Sequence, residues 1–88
     1  MALPQYGIII QDYVYMASFC NVDLGSNRYT LIGACTKIDS HVHISHDVQI
    51  GEYCEIDVVA IILGNVTIGT NTRICAGAII HPDRDWET

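Results

Sequence analysis

Residues 38–56 read IDSHVHISHDVQIGEYCEI, and within them Ile38, Ile44, Ile50 and Ile56 stand six residues apart. The register continues on both sides. Ile32 precedes the stretch and Ile62, Ile68, Ile74 and Ile80 follow it, while Ile10, Met16 and Val22 extend the pattern upstream after one interruption. An α-helix turns every ~3.6 residues and would scatter a strict period of six around its circumference. Short strands joined by corners keep every sixth side chain on the inside instead.

A second set of residues reinforces this reading. Two positions before the large aliphatic residues come Val14, Cys20, Thr30, Thr36, Val42, Val48, Cys54, Ala60, Val66, Thr72 and Ala78, all small or β-branched. Both sets point inward if the chain turns a corner at every hexad. Three hexads then close a triangular coil of 18 residues, and successive coils stack as parallel strands about 4.8 Å apart. Gly33, Gly51 and Gly69 recur at that 18-residue interval, as do Asp39 and Asp57. These are expected to be corners where the chain needs left-handed backbone conformations. From Val22 to Ile32 is ten residues, one hexad plus four, so residues 25–29 (Gly-Ser-Asn-Arg-Tyr) are expected to bulge out as a loop. The fold class is therefore all-β, a parallel β-helix of about four coils with three hexapeptides per coil and one loop insertion. Residues 1–9 form a lead-in, 10–81 the repeats and 82–88 a tail. Loops on such scaffolds commonly line a site.

The composition narrows the function. In 88 residues, half are hydrophobic and only 16% charged, too apolar for a disordered chain and suited to a self-associating one. Flat triangular faces and open coil ends need covering, so a homotrimer is expected, with Trp86 the bulky candidate for a lid. The net charge is −6 and the fixed cations are Arg28, Lys37, Arg73 and Arg84, which form no basic stripe, so nucleic acid is excluded as a partner. No apolar run approaches the ~20 residues of a transmembrane segment, and the start lacks the charged region of a signal peptide, so a cytoplasmic protein is expected. Cys20, Cys35, Cys54 and Cys75 lack paired CxxC spacing and read as reduced thiols.

Polar chemistry is concentrated at His41-Val42-His43-Ile44-Ser45-His46-Asp47. His46 lies two residues after Ile44, at a position directed away from the axis near a corner, and Gly64 follows it by one coil of 18. That juxtaposition suits acyl transfer from a thioester. An attacking hydroxyl or amine must lose a proton to a base that works near neutral pH, as imidazole does. The oxyanion then needs a fixed donor, such as the Gly64 amide, and Asp47 would orient the imidazole. The plainer reading of the same residues is a solvated histidine, an aspartate serving its turn and another corner glycine.

The stretch His43-Ile44-Ser45-His46-Asp47-Val48, with Gly64, resembles the active site of the UDP-N-acetylglucosamine O-acyltransferases of lipid A synthesis. The upstream part, from residues 3–7 (Leu-Pro-Gln-Tyr-Gly) through 22–25 (Val-Asp-Leu-Gly), is similar instead to the UDP-3-O-acylglucosamine N-acyltransferases. Gly64-Asn65-Val66-Thr67-Ile68-Gly69 resembles acetyltransferases of surface-polysaccharide pathways. The resemblance implies a left-handed coil, His46 as general base, Asp47 as its orienting acid and Gly64 as oxyanion donor. It implies substrate contacts from His43, Asn65 and His81, Asn65 standing where the O-acyl family has a histidine. It also implies acyl-CoA or acyl carrier protein as co-substrate, no tightly bound cofactor, and a sugar or nucleotide-sugar acceptor.

Two other classes compete. The γ-class carbonic anhydrases share the repeat and bind zinc between subunits, and His41 and His46 have the five-residue spacing of two of their ligands. No histidine precedes His41, so Cys20 would have to serve as the third. The remaining alternative is a non-catalytic trimeric scaffold or truncated fragment, which the brevity of the chain suggests.

Overall fold

A computed structural model describes residues 6–82. The strands follow in chain order: β1 (Ile8–Ile10), β2 (Tyr15–Met16), β3 (Asn21–Val22), β4 (Thr30–Ile32), β5 (Lys37–Ile38), β6 (His43–Ile44), β7 (Gln49–Ile50), β8 (Glu55–Ile56), β9 (Ile61–Ile62), β10 (Thr67–Ile68), β11 (Arg73–Ile74) and β12 (Ile79–Ile80). They form three four-stranded parallel sheets, β1-β4-β7-β10, β2-β5-β8-β11 and β3-β6-β9-β12. The chain visits each sheet once per coil, so the molecule is a three-sided β-helix of four coils. Above the loop the register is 18 residues, as in Ile32↔Ile50 and Ile44↔Ile62. Across the loop it is 22, as in Ile10↔Ile32 and Val22↔Ile44, the excess of four being the inserted loop.

The isoleucine ladders fill the axis, as the period requires. Ile32, Ile38, Ile44, Ile50, Ile56 and Ile62 have essentially no exposure, and Val42, Val48, Cys54 and Ala60 fill the spaces between them. At roughly 25 cal/mol per Å² of apolar surface, each such isoleucine contributes about 1.5–3 kcal/mol. Thr36 and Cys54 also satisfy backbone groups. Thr36 Oγ1 donates to the Gly51 carbonyl (3.0 Å) and accepts from Cys54 N (3.2 Å), while Cys54 Sγ donates to the Gly69 carbonyl (3.1 Å). All four cysteines are free thiols. In the first coil the ladder is open, with Ile10 51% exposed. Trp86, the expected lid, and Arg84 lie outside the described residues.

The corners differ from expectation in an informative way. On each side of the loop left-handed backbone recurs every sixth residue, at Tyr13 and Phe19, then at Cys35, His41, Asp47, Tyr53, Val59, Asn65 and Asn71 and at Gly77, each three positions after a residue of the inward-facing ladder. Such a φ costs an ordinary L-residue about 1–2 kcal/mol, yet it turns the corner amide back toward the preceding coil. Tyr53 N donates to Ala34 O (2.9 Å), Val59 N to Ser40 O (3.1 Å) and Asn71 N to Glu52 O (2.9 Å), whereas the strand amides donate forward. The corner bonds offset the strain. Gly33, Gly51 and Gly69 do not take this conformation. At Gly33 and Gly51 the requirement is close backbone stacking, whereas a Cβ on Gly69 would meet only Thr72 Oγ1, at 4.0 Å. A Cβ on Gly33 would overlap the Gly51 carbonyl group and lie 2.8 Å from Glu52 N, and one on Gly51 would lie 2.7 Å from Thr70 N. Asp39 and Asp57 are not left-handed either. Asp39 Oδ1 accepts from Ser40 N (2.7 Å), and Asp57 pairs with Arg73 (3.0 Å).

Candidate active site

The corner between the third sheet and the first gathers His46, Asp47 and Gly64. His46 Nδ1 lies 2.8 Å from Asp47 Oδ2, and the imidazole is half exposed while Asp47 is fully buried. A carboxylate only accepts hydrogen bonds, so Nδ1 is the donor here, and in the neutral ring the lone pair falls on Nε2. That nitrogen faces Gly64. A Cβ added to Gly64 would lie 2.5 Å from Nε2 and 2.6 Å from Cε1, so only glycine lets the ring sit there. The coil stacking that brings them together is visible one residue on, where Asn65 N donates to His46 O (3.1 Å). The Gly64 amide itself has no acceptor among the described residues.

Asp47 sits in a dense set of donors that the sequence analysis did not foresee. Oδ1 accepts from three consecutive loop amides, Ser26 N (2.8 Å), Asn27 N (2.9 Å) and Arg28 N (2.9 Å), and Oδ2 accepts from Ser26 Oγ (2.9 Å) as well as His46. Burial by itself would push this carboxyl up. The hydrogen bonds from His46, from the Arg28 and Asn27 amides and from Ser26 together outweigh it and hold Asp47 well below the usual carboxylate range. A signal for this existed in the spacing. Counting back 22 residues from Asp47, the register across the loop, lands on Gly25, the first residue of the insertion. Gly25 must be glycine, since a Cβ there would overlap the Arg28 carbonyl.

Of the other expected site residues, Asn65 shares this corner, its amide bonded to His46 O. His43 stands on the outer face of β6, its Nδ1 3.0 Å from Asn21 Nδ2 and its Nε2 3.6 Å from Asp23 Oδ2, so Asn21 and Asp23 of the coil below are two further neighbours that sequence reasoning missed. Asn65 occupies the corner one coil above Asp47 and is exposed. His81 lies just past β12, one coil beyond Leu63, also exposed. His41 is at a different corner from His46, its ring stacked on Phe19 (centroids 5.2 Å, 12° between planes). Cys20 Sγ turns to the Asp39 carbonyl (2.9 Å), away from a shared site with His41 and His46. Among the described residues no three His, Cys, Asp or Glu side chains are grouped to hold a metal ion. A shallow depression between Tyr15, Lys37, Glu55 and Asp57 lies on the second sheet, on another side of the prism from His46, and its mixed charges suit a solvated face.

Three curated relatives carry one name. A UDP-3-O-acylglucosamine N-acyltransferase of Methylobacterium nodulans is 42% identical over 69 residues, covering 77% of this chain and 20% of that enzyme. Those of Methylorubrum extorquens strain PA1 (42% over an alignment of 100, 92% of this chain and 28% of the enzyme) and Bradyrhizobium sp. strain ORS 278 (47% over 53, 59% and 15%) agree. Over most of its own length the chain is similar to these acyltransferases. It spans 28% or less of the length of these relatives. No family model and no solved structure matches it. Their shared name is that of the N-acyltransferases to which the upstream part, residues 3–25, is similar, although the His46 stretch resembles the O-acyltransferases. The described residues contain no helix long and apolar enough to cross a membrane.

Proposed function

We propose that this chain is the catalytic core of an acyltransferase that moves an acyl group from a thioester, acyl-CoA or acyl carrier protein, to a hydroxyl or amine of a sugar nucleotide. The observation that supports it is the seat of His46, with Nδ1 bound to Asp47 and Nε2 free above Gly64. His46 Nε2 takes the proton of the acceptor as its oxygen or nitrogen attacks the thioester carbonyl. The carbonyl becomes a tetrahedral oxyanion, to which the unengaged Gly64 amide donates. Collapse breaks the carbon–sulfur bond and releases a thiolate, which takes the proton back from His46. Asp47 stays ionised throughout and stabilises the imidazolium formed in between.

His43, Asn65 and His81 are the candidate acceptor contacts. His46 is half exposed on an open corner, so the wall of a substrate cleft would come from a second copy of the chain. A homotrimer with His46 at its subunit boundary meets that need, and the nucleotide sugar in the relatives' name supports an acceptor of that class. A mass-spectrometric screen of acyl-CoA and acyl carrier protein donors with nucleotide-sugar acceptors tests the proposal. Product is expected with the native chain and none with His46→Ala. Undiminished thioester cleavage by His46→Ala sinks the role of the base. A second reading, a non-catalytic scaffold, is supported if no product forms across the panel.

A further inference from the structure

We infer that the inserted loop, residues 25–28, is a positioning element for the base: it holds the Asp47 carboxylate, and through it His46, in the orientation that leaves Nε2 free above Gly64. This deepens the proposed reading and rests on it for its catalytic meaning. The two carboxylate oxygens divide the work. Oδ1 is occupied by the Ser26, Asn27 and Arg28 amides, and Oδ2 is shared between Ser26 Oγ and His46 Nδ1. Five donors meet a group with about four lone-pair directions, so the carboxylate cannot rotate without losing partners.

The backbone of Asp47 is tied as firmly as its side chain. Its amide donates to Thr30 Oγ1 (3.1 Å), and its carbonyl accepts from Arg28 Nε (2.9 Å). Arg28 Nη2 also reaches Thr67 Oγ1 (3.1 Å) on β10, so this one side chain pins the loop across the next coils. Among the described left-handed corner residues, Asp47 is the one that is buried. Tyr13, Phe19, Tyr53 and Val59 occupy the same place in their hexads and are all more than half exposed. A loop that only covered a corner would need no contact with the oxygen that binds the imidazole. Ser26 is therefore a positioning residue, acting on His46 through Asp47.

The test uses the repeat itself. Deleting residues 25–28 joins Leu24 to Tyr29 and brings Val22 and Ile32 to six-residue spacing, so the first coil becomes an ordinary one of 18. In the ¹⁵N-histidine-labelled chain at pH above the imidazole range, long-range proton–nitrogen spectra read which ring nitrogen of His46 is protonated, with His46→Ala assigning the signal. The native chain is expected to show the Nδ1–H form. The deletion is expected to lower the ratio of Nδ1–H to Nε2–H roughly tenfold, the loss of about one hydrogen bond's orienting free energy. Should the deletion not fold, Ser26→Ala is the reading variant: a partial fall, restored by Ser26→Thr, supports the inference. An unchanged ratio in the folded deletion, or in Ser26→Ala, overturns it. The spectrum needs no acyl donor, so a native chain inactive across the whole donor panel removes the proposed function alone, and an active chain with an unmoved ratio removes the loop's role alone.

Discussion

Gly64→Ala is the substitution for which the structure supplies the sharpest number. The new Cβ would stand 2.5 Å from His46 Nε2, 2.6 Å from Cε1 and 3.1 Å from Cδ2. Non-bonded carbon contacts are comfortable at about 3.5–4.0 Å, so the ring must retreat by about 1 Å. Its Nδ1 is 2.8 Å from Asp47 Oδ2, and that retreat carries the pair past the ~3.5 Å at which the hydrogen bond is lost. The ring is a half-exposed side-chain end and swings into solvent, so no backbone has to move. Gly64 is not left-handed, which removes backbone strain as a second cause. The expected stability cost is about 1 kcal/mol, a fall of about 4–8 °C in Tm for a domain this small. The expected loss of acyl transfer is far larger, about 10²–10⁴-fold, because the base no longer faces the acceptor. Initial rates of thioester loss, with product mass and a thermal melt on the same preparation, check both. The double variant with His46→Ala should be no slower than either single one, since residues acting as a unit are not additive. A Gly64→Ala chain that transfers at the native rate would refute the argument that glycine is needed for the seat of the base.

Val59 is a β-branched residue held at φ 63° and half exposed, so Val59→Asn is expected to stabilise the chain by about 1 kcal/mol, raising Tm by several degrees; an unchanged or lower Tm counts against the corner strain. Gly33→Ala places its Cβ against the Gly51 and Glu52 backbone, which cannot swing aside, and should cost at least about 1–3 kcal/mol in denaturant melts. A cost below that of Gly64→Ala contradicts the close stacking of these glycines. Asp47 has a depressed folded-state pKa, so its contribution is fully present above the unfolded value near 4 and is lost as pH falls below that toward the folded value. Asp47→Asn puts an amide among the loop donors and should cost on the order of 3 kcal/mol at pH 7. Melts between pH 7 and 2 should show that gap narrowing only below about pH 4, and a gap constant with pH contradicts the ionised, loop-held carboxylate.

The unbroken isoleucine register from Ile32 to Ile80 was enough to determine a three-sided parallel coil, the 18-residue pairing of its upper coils and the place of the four-residue insertion. These properties follow from which side chains can face one axis, and that is written locally, hexad by hexad. The same spacing singled out His46 and Gly64 as neighbours one coil apart. Two things were decided only in three dimensions. Gly33 and Gly51 recur because stacked backbones leave no room for a Cβ, whereas several left-handed turns fall on Cys35, Tyr53 and Val59, residues with no intrinsic taste for them; hydrogen bonds to the preceding coil, invisible in a linear pattern, offset the strain. The closure of Ser26, Asn27 and Arg28 on Asp47 is likewise tertiary, because an insertion breaks the periodicity that made the rest legible, and where its amides point depends on the carboxylate that the next coil brings above it.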